Sequence, residues 1–347
     1  MKRLTALVIA VAALTAGACS GGGATPGTVR LLAHDSFVIS DEARAAFAAA
    51  TGLNLEVLLA GDAGSMVNQA ILGAGNPVAD VIFGVDTTFL SRALEADLFV
   101  PYESPALPGL LPGLATDAAH RVTPVDYGDV CLNYDKEAFA ATPPPGDLVD
   151  LTGPAYRGLL VVEDPATSSP GLAFLLATIV TFGEQGDYTW QDYWAGLRAN
   201  DVRVTSGWEE AYYGAFSGGS GEGDRPLVVS YASSPPAEVI YADPPVSEAP
   251  TGVVAAGCFR QVEYAGILRG TPREGAARAL IDFLLSERFQ EDVPLTMFVF
   301  PALAAAALPP EFVAHTTVPA APLTMDPAAI EANRARWVEE WASIVLR

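Results

Sequence analysis

The chain has 347 residues, 50% of them hydrophobic, and carries 41 acidic against 19 basic side chains for a formal charge of −22. That excess disfavours a nucleic-acid partner, whose backbone is also anionic, and it fits a cationic ligand as well as plain solubility outside the cell. The length suffices for two lobes, each with a core of its own.

The chain opens like an export leader. Lys2 and Arg3 precede an apolar run from Leu4 to Ala16, and small residues then lead to Cys19. The run is too short for a comfortable membrane span, and its basic, apolar, small order is that of a secretory signal over 1–18. AGAC before SGGGATPG resembles a bacterial lipobox, with Ala16 where leucine is usual, and implies lipid attachment at Cys19 and a tether over 19–27. Without the leader 17 basic side chains face 41 acidic ones, a charge of about −24. No later stretch reads as a transmembrane helix, because charges, glycines and prolines interrupt each one. Cys131 and Cys258 remain. An oxidising exterior permits them to pair, and two buried thiols are the open alternative.

TVRLLAH (28–34) is a strand, SDEARAAFAAATG (40–52) a helix capped by Ser40 or Asp41 and stopped by Gly52, and LNLEVLLA (53–60) a second strand. A loop and helix follow over 61–75, then VADVIFGVD (78–86), apolar enough for a buried parallel strand. TTFLSRALEADLF (87–99) is a helix. This alternation predicts a parallel α/β sheet over residues 28–100. After a proline-rich passage from Pro101 to Pro112, YGDVCLNY (127–134) begins a second block. It contains strands at 158–165, 202–207 and 225–232 and helices at 170–183, 189–200, 208–216 and 233–242. SGGSGEGD (217–224) is a surface loop. CFRQVEYAGILRG (258–270) is a long strand, and 271–293 one amphipathic helix with Ala276, Leu280, Phe283 and Leu284 on a face. The last helix, 326–347, has Asp326 as cap and Trp337 and Trp341 four residues apart. No internal repeat is visible.

Catalytic signatures are weak. His34, His120 and His315 are too scattered for a local zinc motif, and no phosphate loop or nucleophile elbow is present. Glu209-Glu210 reads as the solvated face of a helix rather than an acid/base dyad. No cofactor is expected.

Binding signals collect at strand ends. VEDPATSSPGL runs from a strand into a helix, with Ser169 as cap and Pro170 in the first turn. Such a terminus offers free N–H groups and partial positive charge, and Ser168 and Thr167 add hydroxyls; plain capping explains it equally well in isolation. Tyr231 ends LVVSY before Ser233, Ser234 and two prolines, and Trp208 follows VRVTSG. Ligands of α/β sheets collect beyond the C-terminal strand ends, where Ser168, Trp208 and Tyr231 all fall. The first block adds Asp35 after TVRLLAH, Asp62 before a helix and Asp86 at the end of VIFGVD. A cleft between the blocks then has carboxylates on one wall and rings on the other, a pairing suited to an organic cation.

HDSF (34–37), ADVIFGVD (79–86), VDYG with NYDK (125–136), EDPATSSPGL (163–172), VTSGWEEAY (204–212), VVSYASSP (228–235) and PAAIEANRARWVEEW resemble the thiamine-binding periplasmic protein family, in the same order over nearly all the exported chain. The resemblance implies an α/β, bilobal type II periplasmic-binding-protein fold that closes on thiamine or its phosphates, here with lobes of 28–124 plus 262–305 and 125–261 plus 306–347. It implies Asp62 facing the ligand from the first lobe, Ser168 at its polar or phosphate end, and Trp208 and Tyr231 on its rings. The family has tryptophan at Phe298 and tyrosine at Ala237, where Tyr241 is the nearest substitute, and these departures leave a related heterocyclic cation, such as a pyrimidine precursor, as the open alternative ligand. The expectation is therefore a monomeric, lipid-anchored receptor on the outer side of the cytoplasmic membrane, or in the periplasm. It serves an ABC permease and is not an enzyme. Ligand-binding candidates are Asp35, Asp62, Asp86, Ser168, Ser169, Trp208, Tyr231 and Phe298, and a disulfide between Cys131 and Cys258 would stiffen the hinge. The alternative within the fold is a ferric-ion receptor recruiting Tyr212, Tyr213 and His34. A secreted hydrolase comes third.

Overall fold

The computed structural model describes residues 27–114 and 117–347. The leader, Cys19 and all but the last residue of the tether lie outside the described residues.

One sheet runs through the molecule in the order β2 (Leu53–Leu59), β1 (Gly27–Ala33), β3 (Val81–Asp86), β9 (Thr251–Leu268), β5 (Thr123–Asp135), β8 (Leu227–Tyr231), β6 (Leu160–Glu163) and β7 (Arg203–Thr205). On one flank β1 (Gly27–Ala33) lies parallel to β2 (Leu53–Leu59) and β3 (Val81–Asp86), joined by helices α1 (Asp41–Thr51) and α2 (Ala63–Leu72), the alternation expected for 28–100. Helix α1 starts where Ser40 Oγ accepts from the Ala43 N–H, and it stops at left-handed Gly52. The expected helix over 87–99 is shorter: α3 spans Leu90–Glu95, and Phe99–Val100 forms β4 against β9.

Two long antiparallel strands cross between the lobes, β5 (Thr123–Asp135) and β9 (Thr251–Leu268). The C-terminal part of β9 pairs with β3, while the far end of β5 pairs with β8 (Leu227–Tyr231). Both strands run longer than the sequence predicts, because apolar alternation fades where a strand leaves one core for another. Cys131 and Cys258 are disulfide-bonded where the β5–β9 register shifts. Beyond β8, β6 (Leu160–Glu163) and β7 (Arg203–Thr205) extend the second flank in parallel, with α4 (Ser169–Phe182) and α5 (Trp190–Ala199) packed over it. Helix α4 is almost wholly buried, and Trp194 of α5 meets Trp341 of the C-terminal helix edge to face at 5.5 Å.

Three expected helices differ. Residues Glu210–Ala215 wind as a π-helix, a wider turn than 208–216 predicts. The element over 233–242 contracts to Ala237–Ile240, here α6. The single helix over 271–293 is three: α7 (Glu274–Leu284), α8 (Glu287–Gln290) and α9 (Val293–Thr296). The break has a local cause. Ser286 Oγ accepts from the Phe289 N–H and starts α8 afresh, and Pro294 has no N–H to extend a continuous ladder. The chain then adds β10 (Phe300–Pro301) beside β5, α10 (Pro310–His315) and α11 (Pro327–Val345), the last capped by Asp326 as predicted.

Candidate functional site

A cavity of about 820 Å³ opens between the lobes, at the C-terminal ends of β1, β7 and β8. That volume is in the range of small-molecule pockets, ~300–1,000 Å³. Of the eight candidates, Asp62, Ser169, Trp208, Tyr231 and Phe298 line it. Ser168, Asp35 and Asp86 do not.

Asp62 sits at the seam. As N-cap of α2 its Oδ1 accepts from the Ala63 N–H at 2.6 Å and from the Ser169 N–H at 3.4 Å, and its Oδ2 accepts from the Trp208 N–H at 3.0 Å. One carboxylate from the first lobe thus holds backbone donors at two strand ends of the second. Burial pushes its carboxyl above the ordinary value, against the pull of these donors and of nearby His34. The α2 N-terminus is engaged as well, since the Gly64 and Ser65 N–H groups donate to the Thr167 carbonyl. A Cβ on Gly64 would lie 2.7 Å from that oxygen, so glycine is required there.

The aromatic wall comes from the second lobe. Trp208 stacks on Tyr212 at 5.0 Å with a 21° interplanar angle, and its Nε1–H donates to Ser230 Oγ at 2.9 Å. The spacing 208–212 puts both rings on one side of the wide helical turn. Tyr212 is buried and Tyr213 is 41% exposed, as tandem residues on a helix require. The Tyr231 hydroxyl donates to Gln261 at 3.3 Å. Burial, with Glu263, Asp62 and Asp86 nearby, pushes that phenol well above its usual value and keeps it neutral. Opposite, Phe298 meets Tyr241 edge to face at 5.7 Å. Tyr241 therefore brings a ring to the wall where Ala237 has none.

Ser168, not Ser169, caps α4: its Oγ accepts from the Gly171 N–H at 3.4 Å and is fully buried. Ser169 then becomes the first helical residue and turns to the cavity. Asp35 is exposed. Asp86 is buried behind the wall, where it accepts from the Thr88 hydroxyl at 2.9 Å and the Phe89 N–H at 3.2 Å. Burial raises its carboxyl to about 7.

Sequence reasoning missed four acidic lining residues, Glu209, Glu238, Asp243 and Glu263. Glu209, assigned to a solvated face, lies half-buried in the wall, whereas its neighbour Glu210 does face solvent. Glu238 accepts from the Tyr212 and Ser220 hydroxyls, each at 2.9 Å, and no local pattern flags it. Glu263 had a visible signal: a charge inside the otherwise apolar strand VEYAGIL. It faces His34 at 3.6 Å. Burial disfavours both charges, yet the mutual attraction prevails, so His34 is raised and Glu263 lowered from their ordinary values. The ferric alternative needs Tyr212, Tyr213 and His34 together, but Tyr212 is committed to Glu238 and His34 to Glu263. Among the described residues no three His, Cys, Asp or Glu side chains group as a metal site. No described helix is long and apolar enough to cross a membrane.

The sequence profile of the bacterial extracellular solute-binding proteins matches residues 76–320. The chain is 31% identical to a thiamine-binding periplasmic protein of Salmonella typhimurium, over 87% of each. It is likewise 31% identical to one of Escherichia coli, again over 87% of each chain. A solved structure titled periplasmic thiamin binding protein superposes with a TM-score of 0.82 at 28% identity, covering 92% of this chain and 96% of that one.

Proposed function

This chain belongs to the family of bacterial extracellular solute-binding proteins, and we propose that it captures thiamine outside the cytoplasm and delivers it to an ABC permease in the membrane. The observation that carries this reading is the pairing inside one cavity of a ring wall, Trp208 with Tyr212 and Tyr231, and carboxylates, Asp62 and Glu263. Thiamine is a flat aminopyrimidine joined to a positively charged thiazolium. Ring faces attract such a cation by ~0.5–2 kcal/mol each, and carboxylates add charge complementarity. The names of the relatives support the choice of ligand.

In this reading the protein acts as a monomer without catalysis, held at the membrane by lipid on Cys19. The lobes, 28–124 with 262–305 and 125–261 with 306–347, close by bending β5 and β9. Ligand favours closure because it touches both walls. Titration calorimetry with thiamine tests the reading. Trp208→Ala and Tyr231→Ala are each expected to weaken binding by ~1–3 kcal/mol. Wild-type affinity in both variants would remove the site.

A further inference from the structure

We infer that the molecule exchanges a proton for its ligand's charge: a cation seated beside Glu263 drives the proton held between Asp126 and Glu263 out to solvent. The thiamine reading above supplies only the identity of that cation. Three acids stand in register across three neighbouring strands, Asp86 on β3 opposite Glu263 on β9, and Glu263 opposite Asp126 on β5. All three are buried. Residues opposed in this way bring their Cβ atoms within ~4.5–5.5 Å, where like charges repel. His34, just past the end of β1, meets Glu263 at 3.6 Å and is the base that faces the row. The other ionisable groups about it are acids: Asp35, Asp62 and Glu209 act on His34, and the Tyr231 phenol adjoins Glu263 and Asp86. Beside Asp126, β10 brings only Phe300 and Pro301, and α8 sends the Gln290 amide to the Val125 carbonyl. Arg260, further along β9, is paired with Asp129.

Among the described residues no N–H or hydroxyl donates to either oxygen of Asp126. Its side chain meets the Glu263 carboxyl, and two carboxyls hydrogen-bond only through a proton on one of them. Burial, with the charge of Glu263, holds Asp126 well above the ordinary carboxyl range. Against its own burial, Glu263 is held below that range by His34 and by the bond from Asp126. The proton therefore rests on Asp126. Glu263 lines the cavity and Asp126 does not. A unit positive charge ~6 Å from Asp126, at an effective dielectric constant of ~20, shifts its proton equilibrium on the order of a hundredfold. The Asp126 O–H bond then breaks, the electron pair stays on the carboxylate, and the proton leaves past Glu263 to water. Two carboxylates end up facing two positive charges, the ligand and His34. Proton and cation compete, so affinity rises with pH, by up to about tenfold per pH unit where one whole proton is exchanged.

The experiment is titration calorimetry of the full exported chain with thiamine near neutral pH, in buffers of different ionisation enthalpy, on wild type and Asp126→Asn. Asn keeps a donor to Glu263, has no proton to give up and leaves the cavity wall intact. Wild type is expected to release about half to one proton per thiamine, and the variant less than half as many while still binding. A wild-type heat indifferent to the buffer, or equal release from both proteins, overturns the inference. Infrared difference spectra of the two ligand-free proteins test the proton itself: a protonated-carboxyl band is expected in wild type and not in the variant. Its absence overturns the inference whether or not thiamine binds. In wild type the band should weaken at saturation, and a band unmoved by bound thiamine overturns the exchange. Should wild type not bind thiamine at all, the thiamine reading falls, whereas the proton on Asp126 stands or falls with the band.

Discussion

Asp86 shows how a residue legible in the sequence changes meaning in the fold. Its position at the end of a buried strand marks it as a candidate ligand, yet it is turned into the protein and tied to Thr88. Burial raises its carboxyl from 3.8 to about 7. A raised carboxyl means that the folded state prefers the protonated form. Its stabilising contribution is complete below the unfolded value, near pH 4, and is lost as pH rises through about 7. Asp86→Asn removes the charge and keeps an acceptor for the Thr88 hydroxyl. The variant should exceed wild type in stability at pH 8 by about 1–4 kcal/mol, an advantage that shrinks toward pH 4. Thermal unfolding across this range measures it, and a gain independent of pH would show the carboxyl to titrate normally.

The elements that matter most are the two strands shared between the lobes. Cys131 on β5 and Cys258 on β9 close a loop of 127 residues and are both buried. A cross-link over so long a loop removes much of the freedom of the unfolded chain, by up to ~4–5 kcal/mol in the chain-entropy view. The double change Cys131→Ala with Cys258→Ala should lower stability by several kcal/mol, on the order of 2–5, as read by denaturant unfolding. A change below 1 kcal/mol would mean that the bond leaves the unfolded chain unconstrained. Elsewhere the elements followed their caps. Helices α1 and α11 begin at the side chains that predicted them. The helix after β9 broke instead, because Ser286 and Pro294 act locally while the apolar face runs on past them.

For the whole molecule, Asp62 bridges the two walls of the cavity, and in the proposed reading closure turns on it. It reaches from α2 to the Ser169 and Trp208 N–H groups of the other lobe. Hydrogen bonds to a charged acceptor contribute ~1.5–3 kcal/mol each at best. Asp62→Ala should therefore open the cleft and weaken thiamine by about tenfold or more. Small-angle scattering is the check: thiamine should contract the wild-type molecule, and the variant should contract less at saturation. Equal contraction in both would assign closure to other contacts.

The sequence by itself determined the α/β alternation, the type of most elements and the placement of Ser168, Trp208 and Tyr231 at one end of the sheet. Those properties depend on local chemistry: apolar period, caps, prolines and the C-terminal ends of strands. Only the tertiary structure decided which acids reach the cavity. Asp35 faces solvent and Asp86 is buried, while Glu209, Glu238 and Glu263 stand in the wall. For the two that lie in strands, Asp86 and Glu263, the direction depends on pairing across distant strands. The register of β3 against β9 shifts between Phe83 and Val85, one step before Asp86. A one-residue slip in a strand exchanges the faces of every side chain beyond it, and no pattern within a single segment records that slip.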